Sequence, residues 1–334
     1  MTATRRLGTA RQVPAMITAA VVVSCAALAW AAGPDAPQQV ADGSFRPVIA
    51  RPEYPPGAGP VVLVDRAHNN FHAPDEHFVP FARLIGDDGY RVRGLQGPLT
   101  ADALKGVAVL VIVNALADED VDRWVLPTSP AFTAEEVGAV RDWVRGGGAL
   151  LLIADHMPFP GAAADLARAF GLEFMNGFAI VEAEWDPLVF RRSSSTLRSH
   201  PITNGRSGEQ VNAAVTFVAG QAFRATDDRV CPLLVFGPGV VSINMERAWV
   251  FDATTPRVNV EGWLQGAAVE IGAGRVAVFG EAAMFAAQLT GPRKTPTGMN
   301  APIARENLQL LLNTMHWLSR APGFDSRPGA ARCR

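Results

Sequence analysis

Three runs of this chain carry no polar side chain: Val61–Val64, Val107–Val113 and Ala149–Ala154. A strand with one wet face alternates apolar and polar residues. An unbroken apolar run fits a strand covered on both faces, as in parallel sheets flanked by helices. Helical patterns stand between these runs. Asp75 to Asp88 places Phe78, Phe81, Ala82 and Ile85 at helical spacing and ends at Gly89. Tyr90–Arg93 begins a short second strand, and Thr100–Lys105 reads as a short helix. Thr133 with Glu136 is a capping-box signature. It opens a helix through Val137, Val140, Trp143 and Val144 that stops at Gly146-Gly147-Gly148. A further helix spans Ala162 to Phe170. The alternation predicts a doubly wound α/β fold with a mostly parallel central sheet.

The alternation fades over residues 172–255. Phe178–Val181, Val215–Val218, Leu233–Phe236, Val240–Ile243 and Ala248–Phe251 are short strand-like pieces among polar loops. They read as a β-rich segment, part insertion and part sheet edge. Order returns with the strand Ala267–Ile271, the turn Gly272-Ala273-Gly274, the strand Arg275–Phe279 and a closing helix from Glu306 to Leu318. The domain so defined is 60–320, and the tail 321–334 is expected to be flexible.

The N-terminus reads as an export signal. Arg5, Arg6 and Arg11 precede the apolar run Ala15 to Leu28, and Ala29-Trp30-Ala31 fits a small-x-small cleavage site. Removing residues 1–31 takes the net charge from −2 to −5. Val22-Val23-Ser24-Cys25 also resembles a lipobox, which would put a lipid on Cys25 and tether the protein to a membrane. An uncleaved anchor is the third option. The expected location is therefore periplasmic or secreted, with membrane contact only through this segment. Residues 32–59 hold many prolines and read as an extended linker. Cys231 and Cys333 are then the remaining cysteines. They could pair in an oxidising compartment, or Cys231 could serve as a small buried residue. No basic run is dense enough for nucleic acid.

Candidate chemistry lies at the strand ends. Asp65, Arg66, Ala67, His68, Asn69, Asn70, Phe71 and His72 follow the first apolar run directly, where open α/β sheets place ligands. His68 and His72 are four apart and could share a metal on a helix, but Asn69 and Asn70 favour a turn. Asn114 ends the next long run, Asp155-His156 the one after, and Glu281 the last. Asp65, His68, Asn69, Asn114 and Glu281 are candidate ligand-binding residues. Asp155 and His156 are a candidate base with its orienting carboxylate. His68, Asp155 and Glu281 could hold a divalent cation, the only cofactor these residues suggest. His200 reads as a structural turn residue, His316 as a packing residue, and His77 as a residue of the first helix. Trp185 and Trp263 could form an aromatic platform for a sugar ring.

Phe132–Glu136 leading into Trp143–Ile153 resembles the core of the class I glutamine-amidotransferase-like superfamily. His200-Pro201-Ile202-Thr203-Asn204-Gly205 resembles the His-Pro-Ile-x-x-Gly turn of its ThuA-like and GldG-like branches. Gly274–Glu281 followed by Asn307–Leu318 resembles the way such domains end. Over residues 60–320 the resemblance implies a flavodoxin-like three-layer α/β/α sandwich, of a kind found in many exported bacterial proteins. The ThuA-like branch implies a carbohydrate-like or other small-molecule ligand. The GldG-like branch implies a component of a cell-envelope machine. Amidotransferases carry a cysteine on the turn after the strand that here ends at Ala154. This chain has Asp155-His156-Met157-Pro158 there, so glutamine hydrolysis through a thioester is excluded by residue type. The leading expectation is an exported ligand-binding domain. The alternative is a metal-assisted hydrolase using Asp65, His68, Asp155, His156 and Glu281.

Overall fold

The computed structural model describes residues 39–182, 186–217 and 220–324. The signal, Cys25, Trp185 and Cys333 lie outside them. The chain opens with β1 (Gln39–Ala41), then runs through β2 (Val61–Asp65), α1 (Val79–Asp87), β3 (Arg91–Leu95), β4 (Val109–Val113), α2 (Ala134–Arg145) and β5 (Ala149–Ile153). Two short helices follow, α3 (Phe159–Ala162) and α4 (Ala164–Arg168). The strand-rich stretch holds β6 (Leu172–Phe174), β7 (Phe178–Val181), β8 (Leu188–Arg191), α5 (Pro201–Asn204), β9 (Ala213–Thr216), β10 (Phe223–Ala225), β11 (Val230–Val235), β12 (Val240–Ile243) and β13 (Arg257–Asn259). Then come β14 (Leu264–Ile271), β15 (Gly274–Phe279), β16 (Ala287–Thr290), β17 (Thr295–Gly298) and α6 (Asn307–Leu318).

The main sheet has nine strands. Five are parallel, in the order β3-β2-β4-β5-β15. Antiparallel pairing then extends the sheet through β14 to β10, β11 and β6. Each parallel core strand sends alternate side chains to opposite faces. Val62, Val64, Val109, Val111, Leu151 and Ile153 meet Phe78 and Phe81 near α1 and Leu310, Leu311 and Met315 of α6. Leu63, Leu110, Ile112, Leu150 and Leu152 meet Val140 and Val144 of α2, Phe159 of α3 and Leu166 of α4. The result is a three-layer α/β/α sandwich of the flavodoxin-like class. Complete burial of one such side chain is worth about 1.5–3 kcal/mol, which explains why no polar residue interrupts β4 or β5 and none enters β2 before Asp65.

β6, β10 and β11 widen the main sheet, whereas β7, β12 and β13 form a sheet of their own and β8 pairs with β9. The chain from Gln39 does not behave as the linker expected up to residue 59. β1 pairs with β16, and Tyr54 packs edge-on against Tyr90 at 5.1 Å. Nor does a flexible tail begin at Ala321, because Ala321 and Phe324 are buried. Thr100–Lys105 forms turns, being too short to repay helix nucleation. The helix expected from Asp75 starts only at Val79, one residue before Pro80, which suits a first helical turn. Cys231 is disulfide-bonded, its partner lying outside the described residues. No helix among the described residues is long and apolar enough to cross a membrane.

The α2–β15 contact depends on a missing side chain. A Cβ on Gly274 would sit 1.8 Å from the carbonyl oxygen of Val144. Gly274→Ala is expected to cost about 1–3 kcal/mol through overpacking. The measurement is the urea midpoint at unchanged m-value, and an unmoved midpoint would refute the close approach.

Candidate functional site

The strand order places a topological switch point between β2 and β4. The connection from β2 through α1 covers one face, and that from β4 through α2 covers the other. Open α/β sheets bind ligands outside the carboxyl ends at this point. Asp65, Asn114, Asp155 and Glu281 all lie at or just beyond the carboxyl ends of parallel strands, on one rim.

Asp65 is fully buried and faces His68, whose Nδ1–H donates to both carboxylate oxygens at 3.0 and 2.9 Å. The other ring nitrogen, Nε2, donates to Glu136 Oε1 at 2.9 Å. Glu136 is the third residue of α2. It closes the capping box with Thr133 and also accepts from the backbone N–H of Leu99 at 3.0 Å. Burial alone would lower the His68 pKa, but hydrogen bonds and charge from Asp65 and Glu136 outweigh it and raise the value above the ordinary 6.5. Burial likewise opposes the charge on Glu136, yet the N–H groups of Thr133 and Leu99 and the His68 ring hold its carboxyl below the usual range. The outcome is a carboxylate–imidazolium–carboxylate chain that ties the end of β2 to the start of α2.

A second array zips the β2 and β4 ends together. Asn70 Nδ2 donates to Asp65 Oδ2 at 3.3 Å and to the Val113 carbonyl at 3.1 Å. Asn114 Nδ2 donates to His72 Nδ1 at 3.0 Å, and its Oδ1 accepts from the Asp155 backbone N–H at 2.8 Å. His72 is buried, and desolvation lowers its pKa to about 3, so the ring is neutral. Asn69 and Asn114 both have left-handed backbone, with φ of 45° and 49°. Asparagine tolerates this region better than most residues, and both positions lie where the chain turns sharply off a strand. Asn69 donates to Asp118 at 2.8 Å, bracing the β4–α2 loop. His68 and His72 therefore serve different partners and do not share a helical face.

Asp155 and His156 sit at the end of β5. Burial raises the Asp155 pKa to about 7, and N–H groups of Ala282 and His156 offset this only in part. Burial lowers that of His156 to about 4. The ring stacks on Phe178 at 4.2 Å and meets Trp249 edge-on at 4.9 Å, with Trp124 at 6.0 Å. Glu281, fully buried, accepts from the N–H groups of Phe217 and Met284 at 2.9 and 2.7 Å, fastening the turn after β15.

The expected metal set is not assembled. Both nitrogens of His68 are engaged by carboxylates, and both oxygens of Glu281 accept backbone N–H groups. Among the described residues, no three His, Cys, Asp or Glu side chains gather as metal ligands. Other histidines hold structure. His200 Nδ1 accepts from the Ile202 N–H and caps α5, His77 stacks on Phe71 ahead of α1, and His316 is 2.7 Å from Asp88. Trp263 lies under the Arg224 guanidinium at 5.2 Å.

An open cleft of about 510 Å³ adjoins the His68 chain, lined by Arg66, Ala67, His68, Gln96, Gly97, Pro98 and Glu136. Gly94 makes room for the Arg66 stem, since a Cβ there would lie 2.9 Å from Arg66 Cδ. Sequence reasoning missed Arg66 and Gln96 as lining residues, and read Glu136 only as a cap. The capping signature was visible, but nothing local pointed to its imidazole partner 68 residues away.

No known family's sequence profile matches the chain, and no curated protein does. Among solved structures, the N-terminal domain of mmIFT52 is similar at a TM-score of 0.55 and 12% identity, over 77% of this chain and 97% of that one. A protein from Bacteroides uniformis described as ThuA-like aligns at 0.45 and 14% identity, over 83% and 95%. A β-galactosidase from Bacillus circulans aligns at 0.40 and 8% identity, over 77% of this chain and 30% of that one. At these identities the likeness is one of fold, and the mmIFT52 domain carries it.

Proposed function

We propose that this chain is an exported ligand-binding domain whose cleft takes a neutral, carbohydrate-like ligand. One observation carries the reading. The His68 ring closes the buried Asp65 array on one side and lines the open cleft on the other. The ligand would thus meet a rigid, pre-oriented wall at the carboxyl ends of β2 and β3, beside the switch point. The lining suits hydroxyl groups, which both donate and accept. Arg66 supplies donors, and Gln96 supplies both a donor and an acceptor. The charge of Arg66 is met by Asp75 at 3.0 Å and that of the His68 imidazolium by Asp65 and Glu136, which favours a neutral ligand over a strongly charged one. Export rests on Arg5, Arg6, Arg11 and the apolar run after them, and the disulfide at Cys231 agrees with an oxidising compartment.

The test is thermal unfolding against a panel of neutral mono- and disaccharides. At tenfold excess over Kd, a sugar that binds the folded state should add about 1.4 kcal/mol. Arg66→Ala with Gln96→Ala should abolish that gain while leaving the sugar-free Tm unchanged. A panel with no response would sink the reading. Stoichiometric divalent metal in the purified protein would favour the hydrolase instead.

A further inference from the structure

One carboxylate oxygen joins the two sides of the cleft. Arg66, Ala67 and His68 leave the end of β2 and form one wall. Gln96, Gly97 and Pro98 leave the end of the neighbouring β3 and form the other. Glu136 stands between them, and its Oε1 accepts from both sides. His68 Nε2–H donates to it at 2.9 Å, and the N–H of Leu99, next after Pro98, donates to it at 3.0 Å. The other oxygen, Oε2, is committed to the N–H and the hydroxyl of Thr133 at 3.0 and 3.1 Å. The capping box thus fixes the carboxylate on α2, and Oε1 fixes both walls on the carboxylate. His68, Glu136 and Leu99 are all buried.

This joint needs two hydrogens on the imidazole. Nδ1 faces Asp65 and Nε2 faces Glu136, and a carboxylate only accepts, so both nitrogens must donate. A neutral ring has one N–H to share. Asp65 is fully buried and its carboxylate straddles Nδ1, whereas Glu136 keeps the donors of Leu99 and Thr133. The remaining hydrogen therefore stays on Nδ1, where its loss would cost more. Nε2 and Oε1 are then two acceptors 2.9 Å apart, a contact that repels. Among the described residues no further ion pair reaches the ring. Phe132 covers one face at 4.7 Å, Asn70 accepts the His68 backbone N–H, and Arg66 turns away to Asp75. Burial favours the neutral ring, but the bonds and charges of Asp65 and Glu136 outweigh it, so its titration lies above the ordinary 6.5.

We infer that His68 is a proton-operated gate on this cleft. While the ring is an imidazolium, the two walls are tied through Glu136 and the cleft holds its binding shape. When the ring loses a proton the tie between His68 and Glu136 breaks, the two walls part, and a bound ligand is released. That ligand is the one of the carbohydrate reading above, on which this last step rests.

The experiment follows the Leu99 amide and the His68 ring of the intact protein by NMR from about pH 6 to 9, with and without glucose. The Leu99 ¹H–¹⁵N signal should titrate with the midpoint of the His68 ring, because both bonds end on one oxygen. Glucose should bind about tenfold more weakly above that midpoint than below it, the loss expected for one charge-assisted bond. His68→Gln, whose amide donates but does not titrate, should leave the Leu99 signal flat. A wild-type Leu99 signal that stays flat through the His68 midpoint overturns the gate, with no variant needed. So does glucose binding of equal strength on both sides of it. Matched Leu99 and His68 titrations in a protein that answers neither glucose nor the rest of the sugar panel support the gate and overturn the carbohydrate reading.

Discussion

Asp65→Ala is expected to destabilise the fold by about 3–5 kcal/mol, the cost of removing one partner from a buried ion pair. Asp65 is fully buried and accepts from the His68 ring, from Asn70 and from the backbone N–H of Ala67. Its loss leaves the His68 cation with Glu136 alone and strands the Asn70 amide. The pair also has a pH signature. The folded-state pKa of His68 lies above 6.5. Its contribution is therefore complete below the unfolded value and fades as pH rises through the folded one. Asp65→Asn keeps an acceptor for Ala67 but removes the charge, so the His68 titration seen by NMR should move down. A D65A protein with the wild-type urea midpoint, or an Asp65→Asn protein with an unmoved His68 titration, would show that the chain is ornamental.

Much of this architecture is legible in the letters, and the parts that are not share a cause. β2, β4 and β5 are readable because a strand covered on both faces admits no polar residue. α2 is readable because Thr133 and Glu136 announce its first turn. The strand-end positions of Asp65, Asn114, Asp155 and Glu281 follow from the same runs, since a polar residue can enter only where the cover stops. What escapes is pairing across long separations. β1 is three residues long and pairs with β16 nearly 250 positions away. β17 contains Pro296, which argues against a strand until its edge position is known. Glu136 looks like a cap because it is one, and its second role exists only after β2 and α2 meet. Trp249 reads as part of a strand because it is aromatic and near apolar neighbours, and only tertiary context places it at positive φ.

Stability should peak between pH 6.5 and 7 and fall steeply on acidification. Three histidines have depressed pKa values: the buried His72 at about 3 and His156 at about 4, and the half-buried His200 at about 3. Burial is the leading cause for each, because a cationic ring there would lose its hydration. In the unfolded chain each takes a proton near 6.5, so the unfolded state gains three protons that the folded state refuses until pH 3–4. Asp155 acts in the opposite sense. Its folded value is about 7 against 3.8 for a free side chain, so the folded state holds one extra proton between those limits. From pH 6.5 to 4 the balance is two protons in favour of unfolding, a slope of roughly 3 kcal/mol per pH unit. Two such units cost about 6 kcal/mol, a large share of the about 5–15 kcal/mol by which an ordinary domain is stable. Above pH 6.5 the sense reverses and the change is shallow, as Asp155 and His68 give up their folded-state protons. His200→Asn isolates one of the three histidines. Asparagine is a strong N-cap and keeps an acceptor for the Ile202 N–H. The variant can lose stability overall through the His200–Trp317 contact at 5.1 Å, but its acid slope should be shallower by one proton. Urea midpoints taken across pH 4.5 to 7.5 measure that slope directly, and a variant whose slope matches the wild type would mean that His200 is not held neutral by burial.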